Sequence, residues 1–377
     1  MQNYIEKLDE LKSNSNFRFI KNISEKVGKY IIADNKKMLN LSSNDYLNLS
    51  TDKDLILEFV DKYKNNNEFL FSSASARLLT GNSKCYFKLE ENIKNLFKKE
   101  ASLIFNTGYQ CNQGVISALF NKGDCIFSDK LNHASIVSGL KLSLAEHFRY
   151  KHNDYDNLEK MLSQKRNNYN NAIIISESVF SMDGDIADIK KLIELKKKYN
   201  CLLMIDEAHA FGVFGDNLTG VAGKYNLTDD IDIITITLGK SLASMGAVCI
   251  SNKTITDYLI NKASSFIFST AIPSVNIMWS NFLLEDKFDL LISKKEKLNS
   301  LFNEVHKIYP TISSSQIIPV VLKDAIKTSS KACELQNSGY YVLPINPPTV
   351  PVGTSRLRVS LTSDITLKEI KTFIERL

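Results

Sequence analysis

The chain has 377 residues, 44% of them apolar and 24% charged, and its net charge of +5 is spread over mixed Lys, Glu and Asp stretches. That length exceeds what a single core usually fills, so two or more packed regions are expected, and without a concentrated basic arm nothing argues for a nucleic-acid partner. No apolar run approaches the roughly 18 residues a membrane span needs, and the N-terminus is too charged for a signal-peptide core, so a cytoplasmic protein with no membrane partner is expected. The six cysteines, Cys85, Cys111, Cys125, Cys201, Cys249 and Cys333, include no C-x-x-C pair and mostly sit in apolar runs. They read as buried thiols in a reducing compartment, with no metal site.

In chain order, Tyr4, Ile5, Leu8 and Leu11 share one face of an N-terminal helix, and residues 1–45 read as an arm. Residues 46–270 read as a large domain. Within it, Tyr86, Leu89, Ile93, Leu96 and Phe97 recur at helical spacing over 84–98. Short apolar runs of strand length follow at 102–105, 125–127, 172–176, 201–205, 231–237 and 246–251, with a helix predicted over 187–199. Continuous apolar strands alternating with helices predict an α/β fold, a mostly parallel central sheet with helices on both faces. Ligand sites in such sheets gather at the carboxyl ends of the strands. After residue 270 the composition changes. Four of the seven prolines fall in P-I-N-P-P-T-V-P (344–351), which reads as a rigid irregular loop. A strand over 356–361 and a last helix follow, so residues 271–377 read as a smaller C-terminal α+β domain.

One motif misleads. Residues 206–209 spell Asp-Glu-Ala-His at a strand end, the acidic box of helicase-type NTPases. Such enzymes need G-x-x-x-x-G-K-[ST]. The one G-K-S here, Gly239-Lys240-Ser241, has Ile234 where the first glycine belongs, and it follows the box instead of preceding it.

Lys240 follows a buried strand and sits among small residues in T-L-G-K-S. A desolvated lysine there is a usable amine nucleophile. Pyridoxal phosphate, which is held by such an amine, has three further needs: a carboxylate at its ring nitrogen, backbone amides at a helix start for its phosphate, and a flat group against its ring. Asp206, at the end of C-L-L-M-I, is placed for the first. Asn106-Thr107-Gly108-Tyr109, between a strand and a helical segment, suits the second. His133, in L-N-H-A-S, suits the third.

These segments, N-T-G-Y-Q-C-N-Q-G, D-K-L-N-H-A-S, E-S-V-F-S-M-D-G-D, I-D-E-A-H-A-F-G-V-F-G, T-L-G-K-S, F-S-T-A-I-P and P-P-T-V-P-V-G-T-S-R-L-R-V-S-L-T, closely resemble those of the α-oxoamine synthases and occur in that family's order from about residue 39 to the C-terminus. The resemblance implies a fold-type I pyridoxal-phosphate (PLP) transferase that works as a homodimer, with sites at the subunit interface. It implies that Lys240 is the Schiff-base lysine, that Asp206 partners the pyridine nitrogen, that His209 and Ser181 lie near the phenolic oxygen and that His133 stacks on the ring. Thr107, Gly108, Tyr109 and Thr237 fall at phosphate-side positions, and Ser269 and Thr270 at positions reaching the phosphate of the other subunit. Asn44 lies in the family's substrate motif, and Arg358 matches the arginine for the amino acid's carboxylate, a task suited to a planar guanidinium. Arg356, two residues earlier, is expected to face the other way and to be structural.

The implied reaction is a decarboxylating condensation of a small amino acid with an acyl thioester carried on coenzyme A or an acyl carrier protein. Within the family the tail is most similar to members that join L-alanine and a pimeloyl thioester in biotin biosynthesis, and a glycine-using acetyltransferase or another α-oxoamine synthase is the alternative. A regulatory subunit without activity would not be expected to keep Lys240, Asp206, His133 and His209 together. The chain departs from the family at 72–77, where Ser-Ser-Ala-Ser-Ala-Arg replaces a segment that is usually glycine-rich. The added side chains are expected to crowd a close backbone approach there and to alter the acyl channel.

Overall fold

The computed structural model describes residues 1–13, 17–18 and 20–377. Two compact units emerge, Lys53–Phe180 with Ile186–Lys295, and Met1–Asp52 with Ser181–Asp185 and Glu296–Leu377.

The larger unit is built on seven strands: β1 (Ala101–Phe105), β2 (Cys125–Asp129), β3 (Glu146–Tyr150), β4 (Ala172–Glu177), β5 (Leu202–Asp206), β6 (Ile233–Thr237) and β7 (Ala247–Ser251). Their order across the sheet is β1-β7-β6-β5-β4-β2-β3. All pairs from β6 to β3 are parallel, and β7 runs antiparallel to both its neighbours. Strands β2, β4 and β7 are buried along their whole length, as continuous apolar runs covered on both faces must be. Ile173, Ile175, Met204 and Ile233 pack with Val115 and Ile116 in one core cluster, each full burial contributing about 1.5–3 kcal/mol before entropy is counted. Strand β3, sequence E-H-F-R-Y, is an edge strand exposed over most of its length. Its polarity hid it from apolar periodicity.

Helix α1 (Lys84–Phe97) buries Tyr86, Leu89, Ile93 and Phe97. Helix α2 (Gly108–Leu119) and helix α3 (Ala134–Leu142) follow β1 and β2, and α4 (Ile189–Lys198) precedes β5. A further helix, α5 (Ser274–Asp286), belongs to the larger unit. Its Asn281 accepts from Asn92 of α1 at 2.9 Å, and its Trp279 meets Phe59 edge-on at 5.2 Å. The expected cut at residue 270 therefore moves to 295, because the apolar residues of this helix are buried against the larger unit and not in a C-terminal domain.

The smaller unit holds two sheets. Ile23–Val27, Tyr30–Ala33 and Lys36–Asn40 form an antiparallel meander, and Tyr340–Tyr341 adds to it in parallel. Residues 1–45 are thus not a bare arm: backbone hydrogen bonds tie 36–40 to the C-terminal segment. Ile317–Lys323, Ser355–Ser360 and Pro344–Ile345 form the second sheet, which draws part of the proline-rich stretch into a strand. The segment 181–185 joins this unit through Ser313, whose hydroxyl donates to the Gly184 carbonyl at 3.1 Å. Gly184 has φ +71, and a Cβ there would lie 2.1 Å from the Ile317 carbonyl oxygen. The N-terminal helix Gln2–Ser13 buries none of its residues, so its apolar face is exposed. Five cysteines are buried as expected, but Cys333 is exposed, because it lies on the outer side of helix Ala325–Asn337. No helix among the described residues is long and apolar enough to cross a membrane.

Candidate active site

The parallel strands stop in register. Glu177 of β4 pairs with Asp206 of β5, and Asp206 pairs with Thr235 of β6, which brings polar groups to one end of an apolar sheet. Asp206 is buried. Its Oδ1 accepts the Ala208 amide at 2.8 Å, and its Oδ2 accepts Nδ2 of Asn112 at 2.7 Å. The chain then turns back through His209, whose Nε2 lies 2.8 Å from Nζ of Lys240 in the loop after β6. Gly212, at φ +80, lets this turn pass close to Ser241; a Cβ on it would come within 2.4 Å of the Ser241 Cβ. His133 caps α3, its Nδ1 accepting the Ser135 amide at 3.2 Å, and its own amide donates to Oε1 of Glu177 at 2.5 Å.

These groups share one electrostatic neighbourhood. The protein around the His133 ring holds its pKa below the usual value; Asp206 raises it and Lys240 lowers it further. Burial pushes the Glu177 carboxyl well above the usual carboxylate range, Asp206 adds to that, and Lys240 opposes it. Burial thus favours the protonated form of Glu177 beside Asp206, the direction expected for two close carboxyls in a low-dielectric site.

The start of α2 completes the cluster. Thr107 caps it, with Oγ1 accepting the Gln110 amide at 3.1 Å, and the exposed first-turn amides form a ready anion site. A Cβ on Gly108 would lie 2.7 Å from the Thr237 methyl, so glycine is what lets the end of β6 approach the helix start. Tyr109 shares a short hydrogen bond with Ser138, and the Thr237 hydroxyl donates to the Ala208 carbonyl at 3.3 Å. Ser269 accepts from Gln110 at 3.3 Å, and the Thr270 carbonyl accepts from Asn106 at 2.6 Å, so both lie beside the helix start of their own chain. An amine, an anchored carboxylate and a helix N-terminus at one sheet end fit PLP. The described residues include no group of His, Cys, Asp or Glu that could hold a metal.

Asn44, Ser181 and Arg358 meet in the smaller unit. Arg358 donates from Nε to the Ser181 carbonyl at 2.5 Å, and from Nη1 to Asn44 at 3.1 Å and Ser360 at 2.7 Å. Its Nη2 is buried and has no hydrogen-bond partner among the described residues. Arg356 does not face the other way. Residues two apart on a strand share a face, and Arg356 forms a short ion pair with Asp183, two residues from the Ser181 that Arg358 holds.

Comparison with known proteins places this arrangement. The aminotransferase class I and II family model matches residues 36–377. A Haemophilus influenzae (strain 86-028NP) protein provisionally named 8-amino-7-oxononanoate synthase is 43% identical over 99% of both chains, and one of the same provisional name from Neisseria meningitidis serogroup A is 42% identical over 99% of both. The chain belongs to the α-oxoamine synthases, within the class I and II aminotransferase family. A high-resolution structure of serine palmitoyltransferase with PLP superposes with a TM-score of 0.87 at 26% identity, covering 99% of this chain and 95% of that one. The 8-amino-7-oxononanoate synthase of Francisella tularensis gives 0.73 at 27%, covering 90% and 96%. The α-oxoamine synthase described here is thus a fold-type I enzyme, and its cofactor is pyridoxal 5′-phosphate.

Several residues of this site were not singled out from the sequence. Glu177 carried the same signal as Asp206, a carboxylate ending a buried strand. Asn112 was visible as an amide on the apolar face of α2, between Cys111 and Val115. Glu207, the second carboxylate of the misleading acidic box, points into the protein. Its Oε2 accepts from Ser178 at 2.5 Å and from the Val221 amide at 3.0 Å, and its Oε1 accepts the Ala222 amide at 2.7 Å. In the 72–77 segment Ala74 keeps a left-handed backbone, φ +48, so the chain follows a glycine-like path without glycine.

Burial raises the Glu207 carboxyl from 4.5 to about 7, against the lowering by Ser178 and the two amides. A carboxyl raised in the folded state binds its proton more tightly there, so its contribution to stability is full below 4.5 and is lost as pH rises to about 7. Glu207→Gln, which cannot ionise, should remove that decline from the pH profile of the urea midpoint. A variant whose midpoint tracked the wild type across this window would show that Glu207 titrates alike in both states.

Proposed function

We propose that the enzyme condenses L-alanine with a pimeloyl thioester, on coenzyme A or an acyl carrier protein, to give 8-amino-7-oxononanoate, carbon dioxide and the free thiol, a step of biotin biosynthesis. The observation that carries this reading is the end-to-end similarity to proteins provisionally given that activity. Bound PLP supplies an electron sink that lets the amino acid's Cα lose its proton. In this reading Lys240 holds the cofactor and takes that proton, with His209 at its Nζ. Asp206 keeps a proton on the ring nitrogen, and His133 lies against the ring. Thr107, Gly108, Tyr109 and Thr237 serve the phosphate, Ser181 serves the phenolic oxygen, and Asn44 and Arg358 serve the substrate.

The Arg358 assignment is supported by its geometry. A buried guanidinium nitrogen without a partner is costly unless a ligand supplies one, and a carboxylate is the matching acceptor.

We also propose a homodimer in which Ser269 and Thr270 reach the partner's cofactor phosphate. Leu70, Phe71, Leu78, Leu79 and Phe268 are exposed. The two segments that carry them are joined through the Ser75 carbonyl and the Ala271 amide at 2.9 Å. Together they form an apolar face of the kind that subunit contacts cover.

Product analysis by mass spectrometry over a panel of amino acids and acyl thioesters tests the reaction. Alanine with pimeloyl thioester should give the highest kcat/KM, with no product from Lys240→Ala. One methyl group is worth only about 1–3 kcal/mol, so slow use of glycine is expected. A clear preference for glycine with acetyl-CoA, or for serine with palmitoyl-CoA, would overturn the assignment. Arg358→Ala should weaken alanine binding roughly ten- to hundredfold, the loss of a charge-assisted bond of about 1.5–3 kcal/mol, read from the cofactor's spectral change on titration with alanine. Light scattering should give twice the chain mass, and Phe268→Asp should shift it toward the monomer; a fully active monomer would defeat the dimer.

A further inference from the structure

Asn112 is 2% exposed, and its amide has a partner in every direction. Nδ2 donates to Asp206 Oδ2 at 2.7 Å and to Ser135 Oγ at 3.0 Å, while Oδ1 accepts from the Thr235 hydroxyl at 3.0 Å. One side chain of α2 is thereby bonded to β5, α3 and β6.

The direction of each bond follows from what its partner can do. Both Asp206 oxygens act as acceptors, Oδ1 of the Ala208 amide and Oδ2 of Asn112 Nδ2, so Nδ2 and not Oδ1 faces it, and a flipped amide would set oxygen against oxygen. The second Nδ2 hydrogen then goes to Ser135 Oγ. Ser135, having accepted there, turns its own hydrogen toward His133 Nδ1, 2.8 Å away. The Ser135 amide also points at that nitrogen, at 3.2 Å. His133 Nδ1 is therefore an acceptor, and the imidazole proton sits on Nε2. Thr235 closes the chain of donors by holding Oδ1.

We propose that Asn112 is a positioning residue that fixes two cofactor-facing groups at once: the direction of the Asp206 carboxylate and the Nε2–H tautomer of His133. The lowered pKa of His133 agrees with a neutral ring. Lys240, Glu177, Glu207 and Cys111 interact electrostatically with Asp206 or His133, and none of the substitutions below alters them. The Asp206 half of the proposal rests on the assignment of that residue to the cofactor's ring nitrogen; the His133 half does not.

The test uses three variants with different reach. Asn112→Leu removes every arm, Thr235→Val removes the donor that holds Oδ1, and Ser135→Ala removes the hydroxyl between Asn112 and His133 while keeping the bond to Asp206. Three readouts are taken: the pH midpoint of the bound cofactor's visible band, the rate of alanine Cα–H exchange without acyl donor, and the His133 tautomer from nitrogen chemical shifts of 15N-histidine protein, simplified by the chain's five histidines. Asn112→Leu should shift the midpoint, slow exchange about tenfold or more with little change in alanine KM, and mix the tautomers, since a lost charge-assisted bond is worth at least that factor. Thr235→Val should move all three the same way by a smaller factor. Ser135→Ala loses the hydroxyl but keeps the residue-135 amide on Nδ1, so it should raise the Nδ1–H tautomer only in part and leave the band as in wild type. A change in melting temperature alone, with all three readouts as in wild type, overturns the proposal; if Asn112→Leu does not fold, Thr235→Val and Ser135→Ala decide by the same criteria. An Asp206→Asn variant with an unaltered band would overturn the ring-nitrogen assignment and the Asp206 half with it, and the tautomer measured on cofactor-free protein would still decide the other half.

Discussion

The parallel register that sets Glu177 opposite Asp206 and Asp206 opposite Thr235 is the constraint from which the rest of the site follows. Strands that pair in parallel must each turn away at the same edge, and these are too apolar to end anywhere but where the polar residues begin. Carboxylates, hydroxyls and an amide therefore accumulate along one line. Helix α2 starts at the end of β1 and brings Asn112 and its free amides to that line. Lys240 follows within three residues of the end of β6. Covalent geometry and sheet pairing do the assembling, and the side-chain bonds refine it.

Two carboxyls placed side by side on adjacent strands cannot both be charged at low cost. The structure resolves this by giving them different surroundings. Asp206 receives an amide hydrogen bond on each oxygen. Glu177 is sealed, with a backbone amide on one oxygen. Asp206 keeps both oxygens held, and Glu177, its carboxyl pushed up by burial, sits as a wedge under the start of α3. A third carboxyl, Glu207, is spent on the fold, gathering the amides of a turn that glycine at 220, φ +77, makes possible.

The sequence made the central sheet legible because its buried strands are continuous apolar runs, and the residues proposed for the cofactor stood out because their types match the cofactor's needs. What it concealed has physical reasons. Strand β3 is polar because it is an edge. The meander at 23–40 is mostly exposed, with short strands whose partner, Tyr340–Tyr341, is some 300 residues away in sequence, beyond the reach of local pattern. Helix α5 read as the start of a new domain because chain order does not report which core buries an apolar helix. Arg356 was misread by an error of strand period, and the observed pairing with Asp183 follows once residues two apart are put on the same face. Asn112 and Glu177 stand in the sequence as polar residues in apolar surroundings, but the value of a buried polar group lies in its partners, which only the fold supplies.

The cysteines give this fold a practical asymmetry. Burial raises Cys85 and Cys201 to about 11 and Cys125 and Cys249 to about 12, and Cys111 well above the usual value. Thiolate is the reactive form, so at neutral pH these five are nearly inert toward alkylating reagents and mild oxidants. Cys333 stands apart, exposed on a helix of the smaller unit. The natural chain thus carries a single chemically addressable thiol among the described residues. A fluorophore attached there would report on the smaller unit, while the cofactor's own absorbance reports on the larger one, giving two separable signals from one unmutated protein.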